Sequence, residues 1–528
     1  MTETDATPLQ RDAARTIFQK GAPGRRAFVC PDPGVGEVDV SRLLPERFRR
    51  REPPRLPEVS EPELVRHYVG ISKRNFDLDS GFYPLGSCTM KHNPRLHERV
   101  AALPGNARLH PLQDGERAQG ALELMWSLQG ALAEIAGLPH VSLQPSAGSH
   151  GELAGVLLTR AFHEDRGEVR RKVLTPDTAH GTNPATVTMA GLEVVKLATD
   201  ADGGVDLDDL RAKAEEDVAC LMLTNPNTLG VFDRNILEIA EIVHGVGATL
   251  YYDGANLNAV MGLSRPGDMG FDIVHFNLHK SFTQPHGGGG PGSGPIAVSE
   301  RIAPYLPVPV VARRTGGEGN GASGEPAFEL DYGSGTVGSK TIGRMRGFHG
   351  NYGCFVRAYA YIRSLGGNGL TDASQTAVLN ANYLLARLRE HALAGGGRVG
   401  ELLPAPYPRA EPSAQGGQLC MHEFVLSGGP MKRALGVKTL DLAKRLLDHG
   451  FHPPTVYFPL LVEEALMVEP TETETRETLD AFAEAIAAIL EEAAKDPAVA
   501  QSAPYTTPVR RLDEVAAARQ PVIRERLD

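Results

Sequence analysis

The spacing of apolar residues changes near residue 141 of the chain. Before that point, residues 63–75 and 117–137 place apolar side chains three or four positions apart, which predicts two amphipathic helices. Between residues 172 and 299, helical stretches alternate with short apolar runs, which are KVLTP, LEVVKLA, VACLMLT, ATLYYDGA, FDIVHFN and GPIAVS. This alternation predicts an α/β domain with a mostly parallel sheet, and such sheets bind ligands at the carboxyl ends of their strands.

A mixed pattern beyond residue 355 predicts a smaller α+β domain. Strand-like QLCMHEFVLS and TVYFPLLV alternate there with helical stretches, and residues 473–495 carry the apolar stripe of an amphipathic helix. The prolines of the first 62 residues favour an extended arm, because proline disrupts both helices and regular strand pairing. We therefore predict four parts, which are an arm and first helix at 1–75, a large domain at 76–355, a small domain at 356–500 and a tail at 501–528.

Composition and charge narrow the class of protein. The chain has 528 residues, of which 41% are hydrophobic and 23% charged, so it can bury more than one core. Its net charge of -11 disfavours attraction to nucleic acid, and no apolar run approaches membrane-spanning length. Five scattered cysteines without a CxxC pair argue against a disulfide framework and a structural zinc site. Since the N-terminus has no apolar signal segment, we expect a cytoplasmic protein without nucleic-acid or membrane partners.

A lysine follows one of the apolar runs directly. Lys280 lies in FDIVHFNLHKSFTQPHGGGGPGSG, where a predicted strand runs out into a glycine-rich loop. Most lysines lie in solvent, so this position alone does not identify a catalytic group. A lysine amine can also form a Schiff base with a carbonyl compound, and this chemistry becomes the better explanation when other strand ends supply matching groups.

Other strand ends carry the groups that a pyridoxal phosphate site requires. Asp253 can pair with the pyridine nitrogen, and the small Ala255 allows the ring to approach the backbone. The small residues at 146–149 precede a predicted helix and can bind phosphate through backbone N–H groups. His180 can stack on the ring, and the Asn225 amide can reach the ring hydroxyl oxygen. Each residue alone has an ordinary structural explanation, but together they predict a pyridoxal phosphate enzyme.

Seven motifs in one order make the chain resemble a known family. They are SGFYPLGSCTMKHNP, QPSAGSHGELAG, TAHGTNPA, TNPNTLG, DGANLNA, FNLHKSFTQPHGGGGPGSGP and GSGTVGS. These motifs resemble those of glycine decarboxylase P proteins, which are fold type I pyridoxal phosphate enzymes with an α/β large domain and a smaller α+β C-terminal domain. The length is similar to that of the second subunit in the two-subunit form. The resemblance runs from about Leu64 to about Ile362, and more weakly to Val468.

The resemblance implies an activity and a set of partners. The reaction is decarboxylation of glycine, with transfer of the aminomethyl group to the lipoyl arm of the carrier H protein. In this family pattern Lys280 binds pyridoxal 5'-phosphate covalently, His180 stacks on its ring and Asp253 pairs with its nitrogen. The implied phosphate contacts are Ala147, Gly148, His279 and Thr336, the last from a neighbouring subunit. The expected partner is the first P-protein subunit, in an α2β2 assembly.

Two alternatives remain open for the function. Another fold type I enzyme, such as an amino-acid decarboxylase, an aminotransferase or a cysteine desulfurase, uses similar core residues, although the reactive-cysteine loop typical of desulfurases is not recognisable here. The second alternative is a structural paralogue without a cofactor. Retention of Lys280, Asp253 and His180 together argues against that alternative.

Several further residues have suitable chemistry but no assigned role. The candidates for proton transfer are His92, His150 and His286, and those for binding the glycine carboxylate are Arg344 and Arg346. We expect Cys88 and Cys354 to pack as small apolar groups rather than react. The glycine-rich segment at 313–328 predicts a surface loop.

Overall fold

The computed structural model describes residues 15–36, 38–285, 292–314, 327–407 and 419–525. His286 and most of the glycine-rich segment predicted as a surface loop lie outside these residues. The chain divides into two compact units, one formed by residues 81–501 and the other by residues 1–80 with 502–528. The predicted divisions at residues 75 and 501 are near these limits and remain predictions.

A seven-stranded sheet organises the first part of the larger unit. Its strands are β1 His140–Ser142, β2 Lys172–Pro176, β3 Glu193–Leu197, β4 Val218–Leu223, β5 Thr249–Gly254, β6 Ile273–Phe276 and β7 Ile296–Val298. They lie in the order β1-β7-β6-β5-β4-β2-β3. Strands β2 to β6 are parallel to one another, whereas β7 pairs antiparallel with both β1 and β6. All six predicted strands and the mostly parallel sheet are therefore confirmed.

Helices surround this sheet because its strands are apolar on both faces. In β5, Leu250 and Tyr252 join one core with helix Gln119–Ala136, whereas Tyr251 joins another core with helix Gly148–Asp165. Successive side chains point to opposite faces of a strand, so a continuous apolar run requires cover on both sides. The helices of this part are Arg95–Ala101, Pro104–Ala107, Gln119–Ala136, Gly148–Asp165, Thr182–Met189, Leu207–Lys213, Ile236–Gly245 and Leu278–Ser281.

Antiparallel strands follow in the C-terminal part of the same unit. β8 Val310–Arg313 pairs with β9 Phe328–Asp331, and a separate three-stranded sheet contains β10 Phe424–Ser427, β11 Thr455–Val456 and β12 Ala465–Val468. In this second sheet β12 lies in the middle. The accompanying helices are Tyr352–Glu390, Val399–Leu402, Gly429–Leu435, Thr439–Asp448, Arg476–Lys495 and Pro497–Gln501. The predicted amphipathic helix at 473–495 is confirmed as Arg476–Lys495.

The strand predicted over TVYFPLLV is wrong beyond Val456. The backbone leaves the extended conformation at Tyr457, where φ is 59°, so the strand cannot continue through this segment. The missed strand is β12, only four residues long, which pairs with β10 and β11. This correction matters because the residue after β12 is Glu469, a buried acid near the candidate site.

The helix Tyr352–Glu390 crosses the predicted division between large and small domains at residue 355. Gly366 interrupts it with φ 65° and ψ -176°, so the segment consists of two helices that meet at a kink. Leu384, Leu385 and Leu388 of its second part pack into the core that helix Arg476–Lys495 also enters. The division itself remains a prediction.

The smaller unit contains short helices in its described residues, which are Ile17–Lys20, Val40–Leu43, Glu61–Ser72 and Glu514–Arg519. The predicted first helix is confirmed as Glu61–Ser72. It begins at a capping box in which the Ser60 backbone N–H donates to the Glu63 carboxylate at 2.8 Å. Across all described ranges, no helix combines the length and apolarity needed to cross a lipid bilayer.

Candidate active site

A pocket opens where the parallel strands end. The structure brings seven of the nine predicted cofactor residues together in its lining, which are Ala147, Gly148, His180, Asp253, Ala255, His279 and Lys280. They come from segments far apart in the sequence, but the carboxyl ends of parallel strands lie at one edge of a sheet. The strand pattern therefore predicted the convergence of Lys280, Asp253 and His180, whereas His279 was implied by the family resemblance.

Lys280 lies on the one-turn helix Leu278–Ser281, directly after β6. Its Nζ donates a hydrogen bond of 2.8 Å to the carbonyl oxygen of Ser87. Ser87 also lines the pocket and has a φ of 62°, an unusual value for a residue with a side chain. The amine is thus held inside the pocket by a loop that belongs to the SGFYPLGSCTMK motif.

Asp253, at the end of β5, is 3% exposed and is held in place by its neighbours. Its Oδ1 accepts a hydrogen bond of 3.0 Å from the Ala255 backbone N–H, and His275 Nε2 lies 3.4 Å away. Burial alone would raise the pKa of Asp253, but His275, the Ala255 N–H and Lys280 outweigh burial and hold that pKa below its usual value. The side chain is therefore a carboxylate at neutral pH.

His180 follows β2 and presents a half-buried imidazole to the pocket. Its Nδ1 lies 3.0 Å from the Thr182 hydroxyl, and its ring packs edge-on against Phe458 with centroids 5.6 Å apart. Burial lowers the pKa of His180, although Asp253 opposes this effect. The ring is therefore neutral at neutral pH and can either accept or donate a proton.

The N-terminus of helix Gly148–Asp165 forms another side of the pocket. Ala147 is its N-cap and has no side-chain oxygen, so it leaves the first-turn N–H groups without a side-chain cap. Side chains larger than hydrogen do not fit here, because a Cβ on Gly148 would lie 2.1 Å from Asn277 Oδ1. Among the described residues, that buried Asn277 oxygen and the buried Thr224 hydroxyl have no hydrogen-bond partner. These polar groups indicate space for a polar ligand.

Two of the predicted cofactor residues, Asn225 and Thr336, do not line this pocket. The Asn225 side-chain oxygen accepts a hydrogen bond of 2.8 Å from the Asp233 backbone N–H, and the preceding Thr224 lines the pocket. The buried Asn225 amide nitrogen has no hydrogen-bond partner among the described residues, so its predicted contact with the ring hydroxyl oxygen stays a prediction. Thr336 is exposed and lies outside the pocket that the described residues of this chain form. Its predicted role, as a contact from a neighbouring subunit, stays a prediction.

His150 and the two unassigned arginines have mainly structural contacts. His150 accepts a hydrogen bond of 3.1 Å from the Ser146 backbone N–H, and Arg346 donates to Asn351. Asn351 in turn donates to the Ser146 carbonyl at 3.0 Å, so this network holds the turn that precedes the helix. Arg344 instead stacks on an exposed tyrosine.

Glu152 lines the pocket but escaped prediction. It is 5% exposed, and its carboxylate accepts a hydrogen bond of 2.8 Å from the Thr182 hydroxyl. Burial and the neighbouring charge of Asp253 raise the pKa of Glu152 to about 7. It lies four residues after Gly148, and residues four apart share one face of a helix. This spacing was the sequence signal that could have identified it.

A second pair of buried carboxyls also escaped prediction. Glu423 precedes β10 and Glu469 follows β12, and both are fully buried. Glu423 accepts from the Ser87 backbone N–H at 2.7 Å, and Glu469 accepts from the Thr89 hydroxyl at 2.5 Å. Both therefore contact the loop whose carbonyl accepts from Lys280. Burial raises the pKa of Glu469 to about 7, and burial with repulsion from Glu469 raises the pKa of Glu423 well above its usual value.

Two protein-family models match this sequence over most of its length. Residues 35–332 match the glycine cleavage system P-protein, and residues 408–506 match the glycine dehydrogenase C-terminal domain. The chain belongs to the glycine cleavage system P-protein family. The family resemblance inferred from the seven motifs is thereby confirmed.

Relatives of this family match the chain from end to end. The probable glycine dehydrogenase (decarboxylating) subunit 2 of Exiguobacterium sibiricum is 54% identical, over 96% of this chain and 96% of the relative. The protein of the same name from Halalkalibacterium halodurans is also 54% identical, over 98% of this chain and 99% of the relative. The separate second subunit is therefore the form of P-protein that this chain is similar to.

Solved structures confirm the fold class. A crystal structure of glycine decarboxylase (P-protein) in inhibitor-bound form superposes with a TM-score of 0.68, at 23% identity over 85% of this chain and 94% of the other. The sphingosine-1-phosphate lyase of Burkholderia pseudomallei gives 0.57 at 14% identity, over 86% of this chain and 96% of the other. The chain therefore has the predicted fold type I architecture.

Proposed function

We propose that this chain decarboxylates glycine with pyridoxal 5'-phosphate bound to Lys280, and that the remaining aminomethyl group passes to the lipoyl arm of the H protein. The observation that carries the proposal is the convergence of Lys280, Asp253 and His180 in one pocket of a P-protein family member. Membership of the family supports glycine as the substrate. The residues that line the pocket support pyridoxal 5'-phosphate as the cofactor.

The donor groups of the pocket fit pyridoxal phosphate. The uncapped N–H groups of helix Gly148–Asp165 suit a phosphate, because a helix N-terminus carries positive partial charge. Gly148 lets this turn pass close to Asn277, because a Cβ at this position would lie 2.1 Å from Asn277 Oδ1. The Asp253 carboxylate suits a protonated pyridine nitrogen, and the Lys280 amine suits the aldehyde carbon.

When bound, pyridoxal phosphate supplies an electron sink for the pair of electrons that remains after carbon dioxide leaves. Asp253 stays ionised, so its carboxylate would pair with a protonated ring nitrogen of the bound cofactor. Lys280 is confined by its hydrogen bond to Ser87, so the amine stays at the reacting end of the pocket. His180 is neutral and can move a proton there.

We further propose that a first P-protein subunit completes the site, in an α2β2 assembly. The exposed position of Thr336 supports this arrangement, because its motif GSGTVGS does not reach the pocket of its own chain. Neighbouring chains would supply the missing part of the phosphate site. The lipoylated H protein is the proposed acceptor.

The test measures carbon dioxide release from labelled glycine by the purified chain, with lipoylated H protein and with or without the first subunit. We expect release that needs the H protein and the first subunit, and none from alanine, glutamate or cysteine. Lys280→Ala is expected to abolish it, whereas Lys495→Ala, which changes an exposed lysine, keeps it. Equal rates with another amino acid would contradict glycine specificity, and full activity of the isolated chain would contradict the need for a partner.

A further inference from the structure

The Thr182 hydroxyl connects two groups of the pocket. Thr182 Oγ1 lies 2.8 Å from a carboxylate oxygen of Glu152 and 3.0 Å from Nδ1 of His180. All three side chains line the pocket. A hydroxyl has one hydrogen to donate, so the direction of one of these hydrogen bonds restricts the other.

Only two arrangements satisfy both contacts. When Glu152 is ionised, the Thr182 hydroxyl donates to it, and His180 must carry its proton on Nδ1 to donate to Thr182. When Glu152 carries a proton on Oε1, the oxygen that contacts Thr182, it donates to Thr182, whose hydroxyl then donates to Nδ1. The ring proton of His180 is then on Nε2.

We propose that Glu152 is a positioning residue that acts through Thr182 to determine which ring nitrogen of His180 carries the proton. The connection itself follows from the hydrogen bonds, whereas its consequence for catalysis rests on the proposed function. Nε2, the nitrogen that Thr182 does not contact, is a donor while Glu152 is neutral and an acceptor after Glu152 ionises. Glu152 thereby decides whether Nε2 can give or take a proton.

Two observations indicate which arrangement is present below neutral pH. The Thr182 backbone N–H also points to His180 Nδ1, at 3.3 Å, which favours an Nδ1 without a proton. Glu152 also keeps its proton to a higher pH than an exposed glutamate, because burial and the charge of Asp253 raise its pKa to about 7. The titratable groups that act on Glu152 or respond to it are Asp253 and Tyr251 from β5, His275 from β6, Lys280 and His180. The change of tautomer is therefore expected near neutral pH.

The test uses nitrogen NMR of the imidazole rings in the full-length protein without added cofactor, between pH 6 and 8.5. His180→Gln assigns the signal by its loss. We expect the His180 proton to move from Nε2 to Nδ1 as the pH rises. Glu152→Gln is expected to abolish this pH dependence, since an amide cannot ionise, and Thr182→Val is expected to abolish it by breaking the connection.

Conservative and matched variants separate positioning from misfolding. Thr182→Ser keeps the hydroxyl and is expected to restore the pH-dependent signal. Thr186→Val removes another hydroxyl from the same helix, 3.4 Å from the other Glu152 oxygen, and is expected to keep the signal because Thr186 does not contact His180. The same tautomer and pH dependence in Thr182→Val as in the wild type would overturn the proposal.

Kinetics then test the consequence for catalysis. We expect Thr182→Val to lower kcat about tenfold with a smaller change in KM, and Thr182→Ser to recover most of the loss. The NMR result requires no turnover, so it stands or fails separately from glycine decarboxylation. An unchanged kcat in Thr182→Val, together with a lost NMR transition, would overturn the catalytic consequence of the proposal.

Discussion

Two pairs of buried carboxyls lie within electrostatic reach of Lys280, and they differ in the charge that they retain. The sheet-side pair is Asp253 with Glu152, and the C-terminal pair is Glu423 with Glu469. In the sheet-side pair the pKa of Asp253 is lowered, because His275, the Ala255 N–H and Lys280 outweigh its burial. In the C-terminal pair both pKa values are raised. Burial alone does not decide the charge of a carboxyl; its positive and N–H neighbours do.

The difference in charge corresponds to a difference in role. Asp253 lines the pocket and can hold a charge opposite the cofactor nitrogen. Glu423 and Glu469 instead accept hydrogen bonds from Ser87 and Thr89, and Asn258 donates to Glu469 at 3.3 Å. The C-terminal pair therefore anchors the loop next to Lys280, and a neutral carboxyl is sufficient for that purpose.

The largest predicted effect is a loss of kcat when a carboxyl of the sheet-side pair is replaced. Asp253→Asn removes the charge but keeps the shape, so kcat for glycine decarboxylation should fall about 100- to 1000-fold. Glu469→Gln also replaces a carboxyl by an amide, but in the pair where a neutral group is sufficient, so it should lower kcat less than about fivefold. Steady-state kinetics with H protein measure both. Equal losses in the two variants would contradict the assignment of different roles.

The next largest predicted effect is weaker cofactor binding after a substitution at the proposed phosphate end of the pocket. Gly148→Ala introduces a Cβ that would lie 2.1 Å from Asn277 Oδ1, so the turn must shift. We expect pyridoxal phosphate to bind about 10- to 100-fold more weakly, as measured by fluorescence titration. Gly130→Ala is the matched control in helix Gln119–Ala136, where nothing lies within 4 Å, and it should leave binding unchanged. Unchanged affinity in Gly148→Ala would place the phosphate elsewhere.

Removal of one carboxyl of the C-terminal pair should affect the stability of the protein more than its catalytic rate. Glu423→Ala leaves the buried Ser87 N–H without its acceptor, and we expect the free energy of unfolding to fall by about 1–3 kcal/mol. Glu423→Gln keeps an acceptor oxygen and should lose less. Denaturant unfolding followed by circular dichroism measures the difference. Equal losses in the two variants would argue against the anchoring hydrogen bond.

The last predicted effect is a pH dependence of the free energy of unfolding. The pKa of Glu469 rises on folding from 4.5 to about 7, so its stabilising contribution is complete below pH 4.5 and is lost as the pH rises through 7. Glu469→Gln cannot ionise. Between pH 5 and 8, its free energy of unfolding should therefore fall less than that of the wild type, by on the order of 2 kcal/mol. Parallel pH profiles would show that Glu469 is ionised in the folded protein throughout this range.

The sequence predicted the sheet side of the site well because each strand end places one residue at a common edge. Lys280, Asp253 and His180 all follow apolar runs, and the structure brings them together. Glu152 belongs to a quoted motif but was missed, because an acidic residue in a helix is usually exposed. Its burial depends on packing against β5 and β6, which local pattern does not contain.

The C-terminal side was less predictable because its contacts are long-range. Glu423 and Glu469 adjoin the two short strands β10 and β12, and their antiparallel pairing brings them close together. β12 was not predicted, because it has only four residues and lies shortly after TVYFPLLV, the segment that was predicted as the strand. Thr336 lies outside the pocket that the described residues of this chain form, and its contact from a neighbouring subunit stays a prediction of the family resemblance.

The covalent attachment of the cofactor tests the central claim most directly. The protein loaded with pyridoxal phosphate is reduced with borohydride, digested, and analysed by mass spectrometry for a phosphopyridoxyl group. We predict the modification on the peptide that contains Lys280, and its loss in Lys280→Ala. Modification of another lysine, such as the buried Lys91, or the absence of any modified peptide would contradict the assignment of Lys280 as the cofactor lysine.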